Sequence, residues 1–160
     1  MDLARSVPIE ADIEAELVAA YPLLARRLTL VLRDRDEAQD VAQAAFTRAL
    51  ERRRSFRGGD ARGWLYTIGL RLALNELRRR HRVVPISESE TPTWVLHSDP
   101  DLWQALDQIG PAQRAALILS TLDGYTHSEI ATMLGVRAGT VSSWLSRSKE
   151  RLRDLLGDDR

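Results

Sequence analysis

Apolar residues recur along this chain at helical spacing, and no stretch alternates at the two-residue period of a half-buried strand. Ile13, Leu17, Tyr21, Leu24, Leu28 and Val31 make the first stripe. Pro22 crosses it and starts or kinks a helix, so the segment from about Glu10 to Arg33 reads as one bent helix or two abutting ones. A second helix begins at Asp34 or Asp36, acids that favour a helix start, and turns Ala38, Val41, Ala42, Ala45, Phe46 and Leu50 inward. Gly58 and Gly59 mark a loop from Ser55 to Arg62, where Asp60 is placed to cap a third helix. That helix runs from about Ala61 to Arg80, with Trp64, Leu65, Ile68, Leu72 and Leu77 as its candidate core. Three such helices enclose a first domain, residues 10–82.

The pattern then lapses. Residues 83–98 hold Pro85, Pro92, Glu88, Glu90 and several Ser and Thr without a Lys or Arg. This composition predicts a flexible acidic linker able to span at most roughly 50 Å. Asp99-Pro100 opens a second domain, residues 99–156, with Leu102, Trp103 and Leu106 on one helix face. Gly110-Pro111 starts the next helix, where Ala115, Leu117, Ile118, Leu119 and Leu122 form a broad apolar surface, and Gly124 closes it. At Thr126 and Glu129 stands a capping box, in which each side chain satisfies the other's exposed amide. Ile130, Met133 and Leu134 give that helix one apolar face, Ala131 admits a close neighbour, and Gly135 supplies a left-handed stop. Val141 and Leu145 then restart the helical period with Thr140, Ser143, Trp144, Arg147 and Lys149 around them. Two short helices across a glycine turn, the second polar and basic, make a helix-turn-helix. The fold class is all-α, two small helical domains with the helix-turn-helix in the second.

Composition narrows the chemistry. The chain has no cysteine, so disulfides, thiolate nucleophiles and cysteine-ligated metals are excluded. His81, His97 and His127 lack metal-ligand spacing, and no triad, phosphate loop or paired-carboxylate site is visible; the reading is non-enzymatic, with no cofactor. No apolar run suits membrane insertion, and the acidic start is unlike a signal peptide, so a cytoplasmic protein is expected. Net charge is zero, yet from Arg48 to Arg82 eleven arginines face three acids, an excess of eight positive charges. Charge segregated in this way suits a protein that holds DNA with one surface and a different partner with another.

DEAQDVAQAAFTRAL, then ARGWLYTIGLRLALNELRRRHR, then an acidic linker and GYTHSEIATMLGVRAGTVSSWLSRSKERLRDLL, in this order, resemble the extracytoplasmic-function group of bacterial RNA polymerase sigma factors. The resemblance runs from about Leu17 to Leu156. It implies a transcription initiation factor that directs core RNA polymerase to promoters. Its first domain would bind the polymerase clamp and the minus-ten element, its second the flap and the minus-thirty-five element. It also implies an anti-sigma factor as partner.

Carried over by position, Asp36, Asp40, Gln43 and Phe46 stand in the family's clamp-binding helix, with Phe46 equally readable as core and Ala44 where a glutamate is usual. Phe56, Arg57, Gly58 and Gly59 correspond to the loop that captures an unstacked base, a step costing a few kcal/mol. Arg71, Asn75, Arg78, Arg79 and Arg80 would follow phosphates or base edges beside it, Arg71 standing where asparagine is frequent and Asn75 where aspartate is. Trp64 is read as core, with stacking by Trp64 or Tyr66 as the alternative. In the recognition helix, Arg137, Thr140, Ser143, Arg147 and Lys149 are the DNA-binding candidates; Ser142 and Trp144 occupy positions that are commonly basic. Trp144 would touch a thymine methyl or sugar, or face a restraining partner, and Leu117 and Leu119 would meet that partner or the flap. Two other classes stay open: a sigma-like protein that sequesters an anti-sigma factor, and a free-standing helix-turn-helix regulator.

Overall fold

A computed structural model describes residues 9–81 and 100–157. Among the described residues seven α-helices follow in order: α1 Ile9–Leu32, α2 Arg35–Glu51, α3 Ala61–His81, α4 Pro100–Asp107, α5 Pro111–Thr121, α6 His127–Leu134 and α7 Ala138–Leu156. The all-α class holds. The linker at 83–98 lies outside the described residues.

α1 is one helix, with Pro22 exposed inside it. An interior proline costs about 3 kcal/mol. The buried stripe of Ile13, Leu17, Leu24, Leu28 and Val31 outweighs it, since each such side chain contributes about 1.5–3 kcal/mol. Arg33 ends the helix in a left-handed conformation (φ 61°), and Asp34 caps α2 by accepting from the Glu37 amide.

α2 meets its neighbours through Ala38, Ala42, Ala45 and Ala49, all fully buried. Val41, Phe46 and Leu50, expected inside, sit only partly buried at the rim. Small side chains set the line of closest approach, so the bulky ones flank it. The same logic shifts the expected core of α3. Leu65, Tyr66, Leu70, Ala73 and Leu74 are buried, whereas Trp64, Ile68, Leu72 and Leu77 are partly exposed. A Cβ at Gly69 would lie 2.8 Å from Leu24 Cδ1, so α1 and α3 interlock at that point.

In the second half the capping box at Thr126 and Glu129 is formed in both directions, and Gly135 closes α6 in the left-handed region (φ 69°). α5 starts at Pro111 but ends at Thr121, with Gly124 in the following turn. Leu117 and Leu119, expected to meet a partner, are 8% and 1% exposed and belong to the core. The reason is that α5 is wrapped by α1, α6 and α7. The two halves are in contact, through α1 with α5 and α3 with α6, and a single apolar cluster runs through both.

Candidate nucleic-acid interface

The loop after α2 makes one 3-10 turn, Arg53–Ser55, and then exposes Arg57, Gly58 and Gly59. Both glycines are left-handed (φ 91° and 92°), and a Cβ on either would meet nothing within 4 Å, so the loop surface is open. Phe56 is half-buried against Trp64, their rings 5.2 Å apart. The pair forms an apolar floor beside the open glycines, while Tyr66 is fully buried and offers no stacking face. Asp60 caps α3 by accepting from the Gly63 amide at 2.9 Å.

Along α3, Arg71, Asn75 and Arg78 recur at helical spacing and are all exposed. Arg78 donates to Asn75 Oδ1 at 3.3 Å. Arg79 and Arg80 are exposed too, but both are ion-paired: Arg79 with Glu76 at 2.6 Å, Arg80 with Glu37 at 2.8 Å. The hydrogen bond from Arg79 holds the Glu76 carboxyl below its usual range. Glu37 moves the opposite way, raised by burial despite Arg80. Arg71 reaches across to the other half, donating from Nε to Met133 O (3.0 Å) and from Nη2 to Thr132 O (2.8 Å) at the end of α6.

On α7, Val141, Leu145 and Ser148 face the core, which leaves Ser143, Arg147 and Lys149 exposed and Thr140 half-exposed, and Arg137, at the N-cap just before the helix, is exposed as well. Trp144 packs partly buried on the core, so its indole is anchored rather than free. Ser142 is bonded to His127 Nδ1 at 2.8 Å, which joins the two helices of the motif. On α2, Asp36, Asp40 and Gln43 form an exposed row beside exposed Ala44. Phe46 is half-buried edge-on to Tyr21, at 5.4 Å. Between them lies a groove of about 300 Å³ lined by Val18, Tyr21, Gln43, Phe46 and Thr47. Val18, 60% exposed, is an apolar member of this surface that the sequence pattern does not mark, because it lies off the inward stripe of α1.

A polar network between the halves was likewise not expected. Arg27 makes a two-point ion pair with Asp123 (2.8 and 3.0 Å), and the same carboxylate accepts from the Tyr66 hydroxyl at 3.4 Å. Tyr125 donates to Asp60 at 2.7 Å and accepts from Arg62 Nε at 3.2 Å. The hydrogen bond to Asp123 raises Arg27 above its ordinary value. Burial pushes Tyr66 up to about 12, and burial aided by the bond to Asp60 does the same to Tyr125. A raised phenol contributes stability that is whole below its unfolded pKa, near 10, and is lost as pH rises through about 12. Alkaline titration followed by phenolate absorbance should therefore show two late-ionising tyrosines, with the melting temperature falling across that window. Tyr125→Phe should remove one late phenol; a wild-type curve complete by about pH 10.5 would contradict these placements.

Among the described residues the regular structure is helical, with two exposed cationic faces and an acidic one on a separate helix. The description "Sigma-70 region 2" matches residues 17–83, and "Sigma-70, region 4" matches residues 100–152. Among curated relatives, the ECF RNA polymerase sigma factor SigE of Mycolicibacterium smegmatis is 34% identical over 75% of this chain and 52% of its own. The chain thus spans about half the length of that relative. The RNA polymerase sigma factor CarQ of Myxococcus xanthus is 30% identical over 82% of this chain and 81% of its own. The sigma factor RpoE of Bartonella quintana, solved in complex with the anti-sigma factor NepR, is 27% identical with a TM-score of 0.76 over 93% of this chain and 99% of its own. The chain belongs to the extracytoplasmic-function group of sigma factors, regulatory subunits that direct RNA polymerase in transcription initiation. No described helix is long and apolar enough to cross a membrane.

Proposed function

We propose that this chain is a non-catalytic, cytoplasmic sigma subunit whose work is divided by surface. Residues 10–82 take the polymerase clamp and the minus-ten element. Asp36, Asp40, Gln43 and the groove beside Phe46 meet the clamp; Phe56, Arg57, Gly58, Asn75, Arg78 and Arg79 receive the melted strand. Residues 99–156 take the flap and, through Arg137, Thr140, Ser143, Arg147 and Lys149, the minus-thirty-five element, with residues 83–98 joining the two. The observation that carries this reading is the presence, in one chain, of two cationic helix faces and an acidic face on a separate helix. A free-standing regulator would need only one DNA surface. By analogy with the Bartonella protein, an anti-sigma factor is the expected restraining partner.

Reconstituted runoff transcription with core polymerase and a promoter library tests the assignment. Enrichment of two-part promoters is the expected result. Core binding without product would favour a sequestering protein. Selection of one DNA site without core binding would favour a free-standing regulator.

A further inference from the structure

We propose that His127 is a proton-dependent promoter contact, supplying to the start of the recognition helix a cation that the helix itself lacks. The proposal rests on the reading of residues 99–156 as the half that takes the minus-thirty-five element. In a helix-turn-helix the second helix lays its first turns against base edges, while the first crosses the phosphate backbone. The second helix here is α7, and its residues 138–146 include no Lys or Arg. Its cations stand before and after that stretch, at Arg137, Arg147 and Lys149. Thr140, Ser142 and Ser143 offer only hydroxyls to an anionic partner.

His127 is the first residue of α6 and is exposed, and its Nδ1 lies 2.8 Å from Oγ of exposed Ser142. The ring thus joins the backbone-crossing helix to the base-reading one and keeps its Nε2 edge for a phosphate. A histidine is the ordinary side chain whose charge changes between pH 5 and 8. When the ring is neutral with its hydrogen on Nε2, Nδ1 accepts the serine hydroxyl hydrogen. When it is protonated both nitrogens donate, so the bond reverses: Nδ1 gives its hydrogen to Oγ, and the hydroxyl hydrogen is released to point outward. One proton therefore brings a positive charge to α6 and a free donor to α7. A phosphate beside the ring favours the charged form.

The surrounding charges are engaged elsewhere. Glu129 accepts from the Thr126 amide at 2.8 Å, and Asp123 is held by Arg27. Asp60 and Arg62 both bond Tyr125. From α3, Arg71 donates to carbonyls at the far end of α6, and from α5, Arg114 donates to those of Leu106 and Ile109. On α7, Arg147 reaches back to the Ser143 carbonyl. Carboxylates and guanidiniums keep one charge between pH 6 and 8, and Tyr125 ionises only at about 12. His127 is the member of this cluster that changes charge in that range.

The test uses holoenzyme reconstituted from the full chain and core polymerase, with a labelled duplex promoter enriched in the runoff library. Closed-complex affinity is measured at pH 8 and pH 6 across a potassium chloride series. His127→Gln keeps a polar side chain that never charges, and His127→Arg carries a permanent cation. One added phosphate contact should steepen the plot of log affinity against log salt by up to about 0.9, a gain of up to about eightfold near 0.1 M salt. The wild type should show that gain from pH 8 to pH 6, the glutamine variant should not, and the arginine variant should hold the steep slope at both. Ser142→Ala should weaken binding at both pH values and leave the change of slope intact. The histidines at 81 and 97 are present in every variant, so the difference isolates His127. Melting curves matched to wild type exclude a folding effect. A glutamine variant with the same pH dependence as the wild type overturns the proposal even when runoff activity stands. Should the holoenzyme open no promoter while the chain selects a DNA site alone, the sigma reading falls and the same variants decide His127 on that site. A chain that binds no DNA at either pH overturns both.

Discussion

Leu24→Ala should destabilise the chain by about 2–5 kcal/mol, the cost of lost burial plus the cavity left behind. Leu24 is fully buried and its Cδ1 occupies the space above Gly69. Gly69 has no side chain to move into the void, and the buried face of α2 is alanine, so the site has little means of collapsing. Urea denaturation should show a lower midpoint with an unchanged slope. A loss under about 1 kcal/mol would mean that α1 and α3 do not interlock there. Gly69→Ala alone should also destabilise, since its Cβ would overlap Leu24, and the double variant should recover part of the loss.

Arg78→Ala combined with Arg79→Ala should impair open-complex formation more than polymerase binding. Both side chains are exposed, and Arg78 touches only Asn75 among the bonds described. Arg79 is held by Glu76, but Arg79 itself is exposed, and a pair at the surface exchanges readily for a phosphate. If each arginine neutralises one phosphate, the plot of log affinity against log salt should flatten by about 1.8. Between 50 and 200 mM salt that is a difference of about tenfold. The test is promoter opening by holoenzyme across a salt series, with core affinity measured alongside. Equal loss of both quantities would remove α3 from the DNA surface and place it on the polymerase.

The helix starts and stops were legible because their causes are local. The Thr126 box, the Gly135 stop, the Asp34 and Asp60 caps and the proline at Pro111 each act within four residues. The exposed candidates on α2 and α7 were legible for a related reason: once a helix is set, the side opposite its apolar stripe is known. Which large side chains fill the core was less so. Trp64, Ile68 and Leu72 are as apolar as Leu65 and Leu70, and only the position of α1 and α6 against α3 separates them. The placement of Trp144 and of Leu117 follows the same rule, since both join an apolar cluster built from helices of both halves.

Sequence alone determined the helices, their caps, the segregation of positive charge into residues 48–82 and the order of motifs that resembles a sigma factor. Tertiary structure decided how the halves meet. Arg27 and Asp123 are 96 residues apart, Tyr125 and Asp60 65, Arg71 and Met133 62. Spacing along a chain says nothing about a pair so remote, whose partnership depends on the angle at which whole helices pack. Arg71 reads as a free cation in the one-dimensional chain; three dimensions turn it into the cap of a helix that begins 56 residues later, at His127.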